Sequence, residues 1–220
     1  MKKSDLHIPF EFENRRPIIL NRLLYVPSNY DKHQLFNEDI VFENDNNIAI
    51  EYCSGNGDWI IEKAKTNPNI NFIAVEMKFE RARKIWVKMH NQNLKNLFVV
   101  LAEAFTFTKF YLKDRDVFEV FINFPDPWPK KKHKKNRLIK KAFLKDVARV
   151  LKKDSFITIV TDHISYRDEI IDTFLKSLEY RAVFQKPYFV QNIQNFGSSF
   201  FDTLFKSKGK AINFLKFQRV

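Results

Sequence analysis

Four acids in this chain stand where an apolar run stops. Glu51 follows Ile48-Ala49-Ile50, Glu76 follows Phe72-Ile73-Ala74-Val75, and Glu103 follows Val99-Val100-Leu101-Ala102. Asp126 comes three residues after Val120-Phe121-Ile122-Asn123. Glu51 is succeeded by Ser54-Gly55-Asn56-Gly57, where glycines let the backbone turn sharply and come close to a ligand beneath a helix N-terminus. The dinucleotide pattern G-x-G-x-x-G is not completed, because Ile60 holds the third glycine position. Glu76 comes nineteen residues after Gly57, the spacing at which a carboxylate can accept both hydroxyls of a ribose. Nicotinamide nucleotides and S-adenosylmethionine both carry that ribose. A carboxylate in the turn repels a pyrophosphate and attracts an ammonium or a sulfonium, so Glu51 favours S-adenosylmethionine. Glu103 is placed to accept from an adenine amino group. Each acid alone reads as a surface carboxylate; three at successive strand ends do not read as chance.

The stretch Phe124-Pro125-Asp126-Pro127-Trp128-Pro129 carries three prolines, which stiffen the loop around Asp126 and Trp128. A basic run begins at once. Residues 130–141 hold eight lysines or arginines and no acid, two thirds of the chain's net charge of +12. Charge so concentrated reads as a binding edge for a polyanion. Its neighbouring acid suits an enzyme that acts on a nucleotide within that polyanion, phosphates going to the basic edge and the base to the loop. Thr161-Asp162-His163 adds a polar rim, and Ser199-Phe200-Phe201-Asp202 a hydroxyl, aromatic faces and a carboxylate.

Other chemistries lack their residues. His7, His33, His90, His133 and His163 are scattered and Cys53 stands alone, so no metal-ligand set is expected. Neither G-x-S-x-G nor G-x-x-x-x-G-K occurs. Two readings stay open beside an RNA methyltransferase acting at a ring nitrogen. Asp126-Pro127-Trp128 loosely echoes the loop that holds an exocyclic amine, which would methylate N2 of guanine or N6 of adenine. A non-catalytic RNA-binding module would use the lysines and leave the acids unexplained. A nicotinamide-dependent dehydrogenase is weakest, for want of the third glycine and because of Glu51.

These residues need elements to hold them. Apolar runs at 48–53, 70–75, 97–101, 117–123 and 155–161 predict strands, with helical patterns over 58–65, 78–91, 136–151 and 166–177 between and after them. Runs at 180–184 and 211–217 predict two closing strands. Strand-helix alternation predicts a doubly wound α/β domain over 46–220, with a mostly parallel seven-stranded sheet, and ligands beyond the carboxyl ends of its strands. Residues 1–45, broken by Pro9, Pro17 and Pro27, read as an irregular extension. At 220 residues, 45% hydrophobic and 29% charged, the chain is expected to be one soluble domain. No apolar run reaches a membrane span, no leader peptide is visible and a single cysteine suits a reducing cytosol, so a cytoplasmic protein is expected.

The chain from about Ile48 to Phe217 resembles the bacterial tRNA (guanine-N7-)-methyltransferases. The likeness rests on Phe124-Pro125-Asp126-Pro127-Trp128-Pro129-Lys130 with Lys132-His133-Lys134-Lys135-Asn136-Arg137 behind it. Glu51 with Gly55 and Gly57, Val75-Glu76, Thr161-Asp162, and Ser199 to Asp202 support it. It implies a Rossmann-like class I methyltransferase fold whose last strand is antiparallel, and transfer of a methyl group from S-adenosylmethionine to a guanine in the tRNA variable loop. By that likeness Glu51, Gly55, Gly57, Glu76, Glu103 and Asp126 line the cofactor site, with Asp126 also catalytic. Lys130, Asp162, Ser199, Phe200, Phe201 and Asp202 meet the substrate, and Lys132, His133, Lys134, Lys135, Asn136 and Arg137 contact RNA. The partner implied is tRNA, the protein a monomer or weak homodimer. Cys53 stands where the family usually has glycine, Glu103 where it has Asp, and Ser199-Phe200-Phe201-Asp202 replaces Thr-x-[Tyr/Phe]-Glu.

Overall fold

The computed structural model describes residues 16–27, 30, 32–33, 39–193, 196–197 and 199–220. The readings that concern residues 1–15, Pro9 among them, lie outside these.

The chain alternates strand and helix from Asn47 onward. β3 (Asn47–Tyr52), β4 (Ile70–Glu76), β5 (Leu97–Leu101), β6 (Val117–Asn123) and β7 (Leu151–Thr161) run parallel, and β9 (Asn213–Arg219) lies antiparallel between β7 and β8 (Tyr180–Ala182). The strand order across these seven is β5-β4-β3-β6-β7-β9-β8. The chain steps outward from β3 to β4 to β5, then returns to place β6 on the other side of β3. That reversal opens the crevice at the carboxyl ends of β3 and β6 where ligands bind in such sheets.

Side-chain alternation on strands buried on both faces builds two cores. Ile48, Ile50, Tyr52, Ile73, Val75, Phe98 and Val100 face α4 (Ala104–Tyr111), α5 (Lys141–Val150) and α6 (Ile164–Leu175). Ala49, Phe72, Ala74, Leu97, Val99 and Leu101 face α2 (Asp58–Thr66) and α3 (Phe79–Asn91). Full burial of one such Ile or Leu contributes about 1.5–3 kcal/mol.

The structure departs from the sequence expectation in six elements. The seven expected strands form, and the sheet continues by two more, so residues 16–45 are not irregular throughout. β1 (Ile18–Leu20) and β2 (Leu23–Tyr25) make a hairpin whose β2 pairs parallel with β5. Its turn residues Asn21 and Arg22 have φ of 45° and 67°, the twist that two-residue hairpins use. A short α1 (Asp39–Phe42) follows and puts Phe42 against Phe98. The long helix expected over 136–151 is instead a 3-10 turn at Lys131–Asn136, an extended stretch, and α5. A lysine run offers no apolar stripe for a helix to bury, and Arg137 and Ile139 are buried between the two pieces. Finally, α4 and α7 (Phe200–Ser207) are helices where none was expected.

Candidate active site

The site grows from the end of β3. Glu51 is 1% exposed, and burial pushes its carboxyl up to about 8, against weaker opposing hydrogen bonds. Its Oε1 accepts 2.7 Å from Asn123 Nδ2, the last residue of β6. Its Oε2, and Asn123 Oδ1, are buried and have no hydrogen-bond partner in the protein. Orphaned acceptors of this kind are rare and costly unless a donor arrives from outside. Both residues line one narrow cleft with Cys53, the Ser54–Asp58 turn and Ser199, Phe200 and Phe201.

The turn leaves no choice at its glycines. Gly55 and Gly57 have φ of 56° and 80°, and a Cβ on Gly57 would lie 2.7 Å from Ile85 Cγ1. Cys53, at φ 62°, takes the left-handed conformation without being glycine. Its thiol is pushed up to about 12 by burial and by the neighbouring carboxylates of Glu76, Glu51 and Asp126, so it stays protonated. The end of β4 is tied to the same turn. Glu76 accepts 2.9 Å from the Gly55 amide at Oε2 and 2.9 Å from the Lys78 amide at Oε1. An ionised carboxylate has about four acceptor positions, so each oxygen keeps room for one more donor.

Of the predicted residues, Glu51, Gly55, Gly57, Ser199, Phe200 and Phe201 share the cleft, and Glu76 borders it through Gly55. Ser199 caps α7, its Oγ accepting 3.1 Å from the Asp202 amide, and this sets Phe201 over Gly55. Glu103, Asp126, Lys130, Asp162 and Asp202 do not line the cleft. Glu103 is exposed and caps α4, its Oε2 accepting from the Thr106 amide at 2.9 Å and the Thr106 hydroxyl at 2.6 Å. Asp202 is buried and paired with Lys206 at 2.8 Å, and Asp162 with Lys210 at 2.5 Å.

The proline loop leaves β6 with Phe124 at φ 50° and passes Trp128 at φ 39°. Asp126 is exposed, and its Oδ1 accepts 3.1 Å from the Trp128 amide, which fixes the side chain within the loop. Lys130, Lys131, Lys132, Lys134, Lys135 and Asn136 are exposed, and His133 lies beside Trp128 with ring centroids 5.7 Å apart. Arg137 differs from these neighbours. It is buried and turned inward, donating 2.7 Å from Nε to the Pro127 carbonyl and pairing through Nη1 with Glu169. It therefore ties the loop to α6 and presents almost no surface.

Sequence reasoning did not assign Asn123 a role, nor Cys53, Ser54, Asn56 or Asp58 a place in the cleft. For Asn123 a signal existed: an amide closing the otherwise apolar run Val120-Phe121-Ile122, at a strand end, sits where only a ligand or partner justifies it.

The arrangement can receive a small molecule that brings donors to Glu51 and Asn123 and hydroxyls to Glu76, beside an acid on a rigid loop and a row of lysines. Among the described residues no group of three His, Cys, Asp or Glu is placed to hold a metal, and no helix is long and apolar enough to cross a membrane. The family described as "Putative methyltransferase" matches residues 45–215. A tRNA (guanine-N(7)-)-methyltransferase of Chlamydia felis is 42% identical over 220 residues, covering 99% of this chain and 97% of that protein. One of Chlamydia muridarum is 42% identical over 215 residues, 96% and 95% of the two chains. Among solved structures, the 16S rRNA methyltransferase KamB has a similar fold, with a TM-score of 0.60 at 15% identity over 84% of this chain and 95% of that one.

Proposed function

The chain belongs to the tRNA (guanine-N(7)-)-methyltransferase family and transfers a methyl group from S-adenosylmethionine to N7 of a guanine in tRNA; from that premise we propose that the acceptor lies in the variable loop and that Asp126 orients it. The observation that carries the reading is the pair of buried, unpartnered oxygens on Glu51 and Asn123 beside the glycine turn. They fit the amino-acid end of this cofactor, whose ammonium needs acceptors and a negative charge. The spare lone pairs of Glu76 fit its ribose hydroxyls, and those of Glu103 its adenine amino group. When bound, S-adenosylmethionine supplies an electrophilic methyl group on a sulfonium.

Guanine N7 carries an in-plane lone pair and no proton, so its methylation requires no base to remove one. Asp126 therefore acts by position and charge: its carboxylate steadies the positive charge that grows on the guanine ring as N7 gains the methyl group. In-line positioning of the two reactants contributes up to about 7–11 kcal/mol in favourable cases. Lys130, Ser199, Phe200 and Phe201 meet the acceptor nucleotide, while Asp162 and Asp202, already paired with lysines, steady those segments from behind. Lys132, Lys134 and Lys135, with His133 and Asn136, neutralise the flanking phosphates.

Replacing Asp126 with Ala is expected to lower single-turnover methyl transfer about 10²–10³-fold, the scale for losing one aimed electrostatic group. Affinity for tRNA, measured by filter binding, should change little. Transfer within twofold of wild type would contradict the role given to Asp126.

A further inference from the structure

Arg137 and Glu169 do not line the cleft, yet they touch the proline loop that carries Asp126. The Arg137 side chain is only 2% exposed, an unusual place for a charge unless it is paired and fully hydrogen-bonded. Its partners come from three directions. Nε donates to the Pro127 carbonyl, Nη1 pairs with Glu169 on α6, and the guanidinium lies 4.7 Å from the centre of the Tyr166 ring. The Arg137 amide also closes the lysine turn by donating 3.1 Å to the Lys134 carbonyl. Tyr166 is held in turn, its hydroxyl accepting 3.3 Å from the Ile139 amide.

The carbonyl that Arg137 grips belongs to the residue directly after Asp126. One residue further on, the Trp128 amide donates to Asp126 Oδ1 while Trp128 itself is held at φ 39°. A left-handed conformation in a bulky residue is strained and persists only where its surroundings over-determine it. Within the described part of the loop, the Phe124 amide bonded to the Val160 carbonyl holds one end, and Arg137 holds the middle. Without Arg137, the hydrogen bond left on Pro127 and Trp128 is the Trp128 amide's to Asp126 itself, which would move with the turn rather than oppose its relaxation.

We propose that Arg137, with Glu169 as its counter-ion and the Tyr166 ring as its floor, is a positioning residue for the methyl transfer: it clamps the Pro127 carbonyl so that Asp126 keeps its aim. This rests on the function given above and adds to it a second tier of residues that never touches cofactor or base. The planar fork of arginine suits the task, because one group must donate sideways to a carbonyl and endwise to a carboxylate while stacking on a ring.

The test compares wild type with Arg137→Ala, Arg137→Lys and Glu169→Gln. Affinities for S-adenosylmethionine and tRNA are measured by calorimetry and filter binding, and the methyl-transfer rate in single turnover with both saturating. The loop is followed by fluorine NMR of protein grown on 5-fluorotryptophan, the Trp128 resonance being identified by its loss in Trp128→Phe. For Arg137→Ala, a rate lower by about 10²-fold is expected, the scale of a misplacement near 1 Å, with both affinities within about threefold of wild type. The Trp128 resonance should move and those of Trp59 and Trp86 should not. Arg137→Lys keeps the charge and one donor and is expected to recover part of the rate; Glu169→Gln, keeping an acceptor, should lose less than Arg137→Ala. A rate within twofold of wild type overturns the proposal. So does a tRNA affinity that falls as far as the rate, which would make Arg137 an RNA ligand. Should Arg137→Ala fail to fold, Glu169→Gln and Arg137→Lys decide, and full rates with an unmoved Trp128 resonance in both overturn it. Absence of guanine N7 methylation by the wild-type protein would bring down the functional reading itself, an outcome separate from a wild-type rate retained by the variants.

Discussion

At the scale of single residues, the cofactor cleft is defined by what it lacks. Glu51 accepts one amide hydrogen bond and keeps a second oxygen buried and unpartnered, and burial raises its carboxyl to about 8. The sign of its pH dependence follows. In the unfolded chain this acid ionises near its ordinary value, while in the folded chain it holds its proton up to about pH 8. Between those limits the folded state binds more protons, so Glu51 opposes folding increasingly as pH rises from about 4.5 to 8. An arriving ammonium reverses the preference, because it favours the carboxylate. Binding S-adenosylmethionine at pH 7 should therefore release close to one proton, readable by calorimetry in buffers of different ionisation enthalpy. Glu51→Gln should abolish that release and weaken binding; unchanged proton release in the variant would assign the proton to another group. Gly57 gives a second test. With φ at 80° and Ile85 2.7 Å from any added Cβ, Gly57→Ala should cost about 2–4 kcal/mol in chemical denaturation, the sum of a strained backbone and an overpacked core. A cost below 1 kcal/mol would mean that the turn and α3 can part easily.

At the scale of elements, the strands and their end-of-strand acids were legible because apolar runs and turn glycines carry strong local signals. The parts that were not legible have physical reasons. The hairpin of β1 and β2 uses Asn21-Arg22 without a glycine, and its strands are three residues long, too short for alternation to register. The eight residues of α4, Ala104-Phe105-Thr106-Phe107-Thr108-Lys109-Phe110-Tyr111, are rich in types with modest helix propensity, and the helix relies on its Glu103 cap and on packing of Phe107 and Tyr111. The burial of Arg137 was not legible because a guanidinium inside a lysine run looks like its neighbours; only the fold shows that it turns inward. The lysine turn that remains outside carries its own prediction. Neutralising Lys132, Lys134 and Lys135 together should weaken tRNA binding and reduce the slope of log affinity against log salt by about 0.7–0.9 per lost phosphate contact. An unaltered slope in filter-binding titrations would show that these lysines meet no phosphate.

At the scale of the whole molecule, one sheet joins the N-terminal hairpin to the methyltransferase strands, with Leu24 of β2 buried in the larger core. Leu24→Ala should lower stability by about 2–5 kcal/mol, the cost of deleting a buried leucine. It should do so within a single thermal transition; a separate early transition would make the hairpin an independent appendage. Charge is divided as the chemistry asks. The acids Glu51, Glu76 and Asp126 gather at the carboxyl ends of the parallel strands, and two thirds of the net positive charge sits on residues 130–141 beside them. On the proposed reading, a phosphate chain drawn to the lysines is thereby led past the acid proposed to handle its base. The measurement that tests this account most directly is mass spectrometry of the nucleosides from unmodified tRNA transcripts, after incubation with the protein and labelled S-adenosylmethionine. The prediction is label in 7-methylguanosine at one tRNA position, lost with Asp126→Ala. Label in N2-methylguanosine or N6-methyladenosine, or none with the cofactor still bound, would contradict it.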